Sequence, residues 1–367
     1  MVNLNWLEIS QKNLLHNLGE LRRVVKNGVK ILGVVKANAY GHGILEVSKI
    51  FQQGGINWLG VNSLEEGVLL RQNKIKVPIL VLGYIPLRNL NQAIEADLSF
   101  AVYNLETVQV SARESLKLKK PAKVHLKIET GTNRQGIKEE EILDFVSEIK
   151  KNPRIKIEGV YTHFADIEDA GGNGFYQKQL TTFEEILRLL ETRGFNIPLR
   201  HATPTAGAIL LPESHFDMVR VGIGLYGLWP SEIVKTRVQD KKIDLDLRPV
   251  LSWKTKVVQI KKVEKGEYIG YGCTFKTDGQ LRIAVLPVGY FDGYDRKLSN
   301  RGRVLVKGQF APVVGRVCMN MMMVDVSRIP QVELEEEVVL LGEQGNQRIT
   351  AEELAEKVGT INYEIVS

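Results

Sequence analysis

Through the first two-thirds of the chain, short runs of unbroken apolar residues alternate with amphipathic stretches. Unbroken apolar runs suit strands covered on both faces. They predict strands at Ile31–Val35, Trp58–Val61, Ile79–Leu82, Phe100–Val102, Val124–Ile128, Ile157–Tyr161, Leu199–His201 and Met218–Val221. Between them, Glu139–Lys150 and Phe175–Thr192 carry apolar residues at three- and four-residue spacing, as a helix packed on one face requires. Ser63 before Leu64-Glu65-Glu66 and Asn104 before Leu105-Glu106 have the chemistry of helix N-caps. Some eight strand–helix units in roughly 240 residues match a closed (β/α)8 TIM-like barrel, with a doubly wound open sheet as the competing α/β architecture.

After about Lys242 the texture changes. Helical periodicity fades, and β-rich segments recur at Trp253–Val263, Arg282–Val288, Arg303–Val306 and Met321–Val326, separated by Gly and Asp-Gly breaks. This reads as a barrel over 11–242 followed by a mostly β domain over 243–367, with one short helix, Thr350–Val358, opened by Thr350 and Glu353 as a capping box.

Charge and composition narrow the function classes. A formal net charge of +6 spread among acids along 367 residues is a poor nucleic-acid footprint. Cys273 and Cys318 make neither a disulfide framework nor a metal-ligand spacing. The start, MVNLNWLEIS, lacks the pattern of a signal peptide, and no apolar run approaches the ~18 residues of a membrane span. The expectation is a cytoplasmic protein without membrane or nucleic-acid partners. HExxH, CxxC, P-loop and GxSxG patterns do not occur in the chain. The run CMNMMMVDV (Cys318–Val326) reads as core filling rather than a soft-metal site, and no metal is expected.

In a TIM-like barrel the active site lies at the carboxyl ends of the strands, and polar residues gather there. Lys36 ends the first predicted strand, Arg134 follows the fifth, His163 the sixth, His201 closes the seventh, and Arg220 with Gly222 ends the eighth. A lone lysine at a strand end is more often a solvated terminus, and His201 is as readily a structural histidine. Five such positions on one rim point to a site. GIGLYG (Gly222–Gly227) has the dinucleotide fingerprint spacing but follows a late strand, so it reads as a backbone phosphate cradle, with Thr203 and Thr205 as candidate hydroxyl donors. A lysine and a phosphate cradle at a barrel mouth are the equipment for pyridoxal 5'-phosphate: the amine captures the aldehyde, and burial at the end of an apolar strand disfavours its charged form.

The motifs VVKANAYGHG, THFA, VRVGIGLYG, GYGCTF, VGYFDGYDRKLSN, GRVCMN and GTINYE resemble, in order, those of the alanine racemase family, and they span Trp6 to Glu364. The resemblance implies an isomerase with a pyridoxal-phosphate barrel, a β domain that takes in the amino-terminal strand (1–10), and a head-to-tail homodimer with shared active sites. It implies interconversion of L- and D-alanine, supplying D-alanine for peptidoglycan. By the same resemblance Lys36 is the cofactor lysine and the base on one face of the substrate carbon. Tyr271, from the partner subunit, is the acid or base on the other. Arg220 meets the pyridine nitrogen, and His163 stands between it and the catalytic tyrosine. Tyr40, Thr205, Gly222, Ile223 and Tyr363 contact the phosphate. Arg134 and the backbone of Met319 meet the substrate carboxylate. Lys127 matches a lysine often carbamylated to hold that arginine. Tyr290, Arg296, Arg316 and Ile361 match residues lining the access channel.

The chain departs from the family pattern at Pro204, where asparagine is common, and at Asn320 and Glu168, where aspartate is; it also stops at Ser367. These changes touch the phosphate surroundings, the electrostatics of access and the C-terminal packing. A general base alone contributes about 10²–10⁴-fold, so the cofactor must supply the rest of the acceleration, and inversion requires an acid opposite the base. A broad-specificity racemase, a related amino-acid decarboxylase and a non-catalytic pyridoxal-phosphate protein are the alternatives. The GYG context of Tyr271 and the GTINYE ending favour racemisation, and a second domain favours an enzyme over a binding protein.

Overall fold

A computed structural model describes residues 3–168 and 174–367. The chain divides into two compact units, Gln11–Arg248, and Met1–Ser10 with Pro249–Ser367. The change of texture after Lys242 puts the expected boundary at 242/243, within the charged segment KKIDLDLR (241–248). In the structure it is tied to the first unit: Asn17 exchanges hydrogen bonds with both the N–H and the carbonyl of Arg248 (2.8 and 2.9 Å), and Glu20 accepts from Asp246 N (2.9 Å).

The strand β1 (Asn5–Ile9) belongs to the second unit. The first unit is built on β2 (Lys30–Val34), β3 (Trp58–Val61), β4 (Ile79–Val81), β5 (Ser99–Val102), β6 (Ala122–Lys127), β7 (Ile155–Tyr161), β8 (Arg200–His201) and β9 (Met218–Val221). These eight strands form one sheet in the order β8-β7-β6-β5-β4-β3-β2-β9, every pairing parallel. The sheet's two outer strands meet at a seam. Asp217 N donates to Arg200 O (3.0 Å), Arg220 N to Thr203 O (2.8 Å), and the Arg200 guanidinium clamps the Asp217 carboxylate. The barrel reading is therefore correct, and the open-sheet alternative falls.

Alternation along the strands sets the interior. Leu32, Val34, Trp58, Leu80, Leu199 and Met218 pack together as an apolar plug. Toward the carboxyl ends the inward positions turn polar, with His125 and Lys127 on β6, Tyr161 on β7, His201 on β8 and Arg220 on β9, all buried. The predicted N-caps hold: Ser63 and Glu66 make a reciprocal capping box on the helix Leu64–Gln72, and Asn104 accepts from Thr107 N on the helix Leu105–Leu118.

The second unit adds β10 (Leu251–Lys256), β11 (Gln259–Val263), β12 (Leu281–Leu286), β13 (Arg303–Val306), β14 (Gln309–Pro312), β15 (Met322–Asp325), β16 (Glu337–Gln344) and β17 (Gln347–Ile349). One antiparallel sheet runs β1-β10-β16-β13-β14 with β17 on β16; a second runs β11-β12-β15. The β-rich segment Trp253–Val263 holds parts of two strands, β10 and β11. Val257 N donates to Glu336 O (3.0 Å) and the next amide, Val258 N, to Val285 O (2.9 Å), so the chain changes sheets between them.

Candidate active site

The apolar run of β2 ends at Val35, whose N–H still donates to Gly60 O on β3 (2.8 Å). Just past Lys36 the backbone reverses its hand. Ala37, Asn38, Ala39 and Tyr40 all have positive φ, between 53° and 57°, forming one left-handed turn. For residues with a Cβ this costs roughly 1–2 kcal/mol each, so the turn persists only because its surroundings dictate it. Ala39 N donates to Val35 O and Gly43 N to Asn38 O (both 2.9 Å), while the Asn38 side chain accepts from Ile44 N (2.9 Å). Glu66 accepts from Ala37 N (2.7 Å). His42 is buried with Nδ1 on Tyr40 O (2.6 Å), and burial pushes it down to about 4, so it is neutral.

The turn presents two side chains. Lys36 is half-buried; burial, assisted by the nearby Arg134 cation and opposed by Glu66, holds its amine below the usual lysine range. Tyr40 packs on Tyr226 (centroids 5.0 Å apart), and burial raises its phenol to about 12, so it acts as a neutral hydroxyl. Its Oη lies where a side chain at Gly222 would be: a Cβ there would stand 2.4 Å from it. Gly222 N donates to Thr205 Oγ1 (3.0 Å), and the short turn Ile223–Tyr226 begins at the next residue. Lys36, Tyr40, Thr205, Gly222 and Ile223 thus border one part of the barrel mouth. Thr203 does not join them. It is fully buried, with its hydroxyl paired to Ser214 O and Ser214 Oγ, a core role that removes it from the expected cradle.

A cationic network forms the opposite part. The Arg220 guanidinium is buried, with Nη1 on His201 Nδ1 (2.8 Å) and Nη2 on Thr162 O (2.7 Å), Ala202 O (2.8 Å) and His163 Nδ1 (3.1 Å). Burial lowers Arg220 to about 10, which leaves it charged at neutral pH. Burial and then the field of Arg220 push His163 down to about 3, so that ring is neutral. His201 stacks flat on Tyr161 (4.8 Å, 5°) and reaches His125 Nδ1 (3.0 Å), which gives it a structural place the sequence left open.

Lys127 is buried beneath this network. Its amine donates to Gln135 Oε1 (2.9 Å), and Gln135 Nε2 donates to Tyr103 Oη (3.0 Å). Burial, then the cations of Arg134 and Arg220, lower Lys127 to about 8. Arg134 stands exposed, its backbone N–H on Glu129 Oε2 (3.3 Å). Glu66, Gln135 and Tyr103 were missed by sequence reasoning. Only Glu66 gave a signal, as the third residue after Ser63.

In the second unit, a depression of about 1330 Å³ brings together Tyr271, Tyr290, Arg296, Arg316 and Met319. Tyr271 is 74% exposed on a turn between two left-handed glycines, Gly270 and Gly272. A Cβ on Gly272 would collide with the Arg316 guanidinium at 2.8 Å, so the glycine lets arginine and tyrosine lie close. Ile361 and Tyr363 lie elsewhere in this unit, at the short helix Asn362–Val366, and do not line the depression. Among the described residues no cluster of three or more potential metal ligands occurs, and no helix is long and apolar enough to cross a membrane.

Comparison with known proteins covers nearly the whole chain. Residues 9–230 match the family profile of the alanine racemase N-terminal domain and 250–367 that of the C-terminal domain. Alanine racemase 2 of Caldanaerobacter subterraneus subsp. tengcongensis is 41% identical over 360 residues, covering 98% of this chain and 91% of that protein. The solved alanine racemase of Clostridium difficile 630 superposes with a TM-score of 0.93 at 36% identity, covering 100% of this chain and 93% of that one. A histidine racemase from Leuconostoc mesenteroides subsp. sake superposes with a TM-score of 0.89 at 28% identity, covering 99% of this chain and 95% of that one.

Proposed function

The chain belongs to the alanine racemase family, and from that premise we propose that it interconverts L- and D-alanine, with pyridoxal 5'-phosphate held at the barrel mouth. One observation carries the reading: a half-buried amine with a lowered proton affinity stands just before a strained turn, whose Tyr40 hydroxyl packs so closely on Gly222 that a Cβ there would fall 2.4 Å from it. These residues fit the cofactor. Lys36 Nζ holds the aldehyde end. Tyr40, Thr205 and the backbone of Gly222 and Ile223 would hold the phosphate, and the family resemblance adds Tyr363. Arg220 meets the pyridine nitrogen. When bound, the cofactor withdraws electrons from the substrate's α-carbon.

The chain's own groups do the rest. On one face Lys36 Nζ accepts the α-proton as the uncharged amine that burial favours, and in the opposite direction returns one as the ammonium. Tyr271 Oη of the partner subunit serves the opposite face, so that a proton leaves one side and arrives on the other. Arg220, charged at neutral pH, donates a hydrogen bond without giving up its proton. His163, held by Arg220, links that cation toward the catalytic phenol. In this reading Arg134 and the Met319 amide meet the substrate carboxylate, while Tyr290, Arg296 and Arg316, which share one depression of the second unit, line the approach and Ile361, which lies outside it, does not. A neutral Lys127 amine is what carbamylation requires, and the carbamate would turn a repulsion toward Arg134 into an attraction. The exposed Tyr268, Tyr271, Tyr290, Met319 and Met321 around one depression support a homodimer, since such patches mark association surfaces. The cellular role in this reading is supply of D-alanine for peptidoglycan in the cytoplasm.

The test is a chiral assay across several amino acids together with borohydride reduction and peptide mapping. Racemisation of alanine with a reduced adduct on Lys36, both lost in Lys36→Ala, is expected. An adduct on another lysine, or carbon dioxide release in place of racemisation, overturns the reading. The histidine racemase among the structural neighbours makes a broader substrate range the second reading, which the same panel decides.

A further inference from the structure

Glu66 has no part in the proposed chemistry, yet its carboxylate collects three backbone N–H groups. Oε2 accepts from Asn62 N (2.8 Å) and Ser63 N (3.2 Å), and Oε1 from Ala37 N (2.7 Å). Helix initiation accounts for Ser63, the N-cap of Leu64–Gln72, whose hydroxyl in turn accepts from Glu66 N (3.3 Å). It does not account for Ala37, which sits 29 residues earlier and is the first residue of the left-handed turn. There the backbone has left the β2 ladder and has not yet closed a turn of its own, so the Ala37 N–H needs a partner from elsewhere. Glu66 supplies it from a rigid element, its side chain fixed by the capping box.

We propose that Glu66 is a positioning residue whose carboxylate latches the left-handed turn Ala37–Tyr40 to the start of the helix Leu64–Gln72, and so fixes Lys36 and the Tyr40 hydroxyl in relation to each other. The latch itself stands on geometry alone; its consequence for cofactor capture rests on Lys36 being the cofactor lysine. A charge-assisted bond is stronger than a neutral one, which suits a turn that must be held against its own preference. A glycine at position 37 adopts positive φ freely and needs no latch.

Amide exchange across residues 37–43 in the cofactor-free protein tests the latch. The capture rate of pyridoxal phosphate, followed by absorbance and borohydride trapping, tests the consequence. In Glu66→Ala, exchange in this segment should rise, and capture should slow, by about ten- to a hundredfold. Glu66→Gln, which has one acceptor oxygen where the carboxylate uses two, should recover both only in part. Ala37→Gly placed in the Glu66→Ala background should restore capture, an outcome that loss of a helix cap alone would not give. Unchanged exchange in Glu66→Ala, or slow capture that Ala37→Gly leaves uncorrected, overturns the proposal. Trapping on a lysine other than Lys36 in the unaltered protein overturns the functional reading, while the exchange arm still judges the latch.

Discussion

The Arg220 guanidinium meets four acceptors, and none of them is a carboxylate. Because arginine only donates, His201 and His163 must both present Nδ1 as an acceptor, which places their protons on Nε2. His201 Nε2 then donates to His125 Nδ1, giving a hydrogen-bond chain with one direction. Removing the cation strands the acceptors. Arg220→Met should lower stability by about 2–4 kcal/mol, read as a shift in the urea midpoint. A second prediction concerns the close contact of Gly222 with Tyr40. Gly222→Ala places a methyl 2.4 Å from Tyr40 Oη and should weaken pyridoxal-phosphate binding at least about tenfold while the barrel stays folded, measured by titration and far-ultraviolet circular dichroism. Sequence alone placed Lys36, His163, Arg220 and Gly222 near one rim, because strand ends are legible from apolar runs. It could not assign Thr203, since its partner Ser214 lies beyond the intervening helix Thr205–Leu210.

At the scale of elements, legibility follows how much of the determining physics is local. Caps at Ser63, Asn104 and Thr350 are short-range and were readable. At Thr350 only half of the expected box forms. Its hydroxyl accepts from Glu353 N (3.1 Å), but the Glu353 carboxylate turns away to a two-bond pairing with Arg303 on β13 (2.7 and 2.9 Å). The left-handed turn was not readable, because alanine favours the opposite hand and the groups that hold it include Glu66 from a distant part of the chain. The sheet change at Val257–Val258 was hidden for the same reason, as neither residue breaks a β pattern. On β7, Gly159 looks like a weak point in a strand. It makes room for the His125 ring, whose Nδ1 would be 2.5 Å from an added Cβ. Gly159→Ala should therefore cost about 1–3 kcal/mol by overpacking, seen as a lowered melting temperature.

Across the whole molecule, the barrel unit buries His42, His125 and His201 and partly buries His163, all of them kept neutral. Burial holds His42 near 4 and His125 and His163 near 3, against about 6.5 in an unfolded chain. As pH falls below about 6.5 the unfolded chain takes up protons that the folded one refuses, so stability declines from there toward pH 4 and below. Urea unfolding at pH 5 should show about 2 kcal/mol or more less stability than at pH 7, and a flat profile would contradict the burial of neutral rings.

The barrel's seam carries a consequence of its own. Where the neighbouring strands share ladders, β8 and β9 are joined by backbone bonds at 200/217 and 203/220, the Arg200–Asp217 clamp, and one hydroxyl at 205/222. Like the two-residue ladder of β7 with β8, this join is short. The proposed phosphate contacts Thr205 and Gly222 stand on its two lips, so an anion lodged there works as a suture. Nicking by proteases should begin beside this join in the empty protein and fade as pyridoxal 5'-phosphate is added, a protection set by occupancy rather than by turnover.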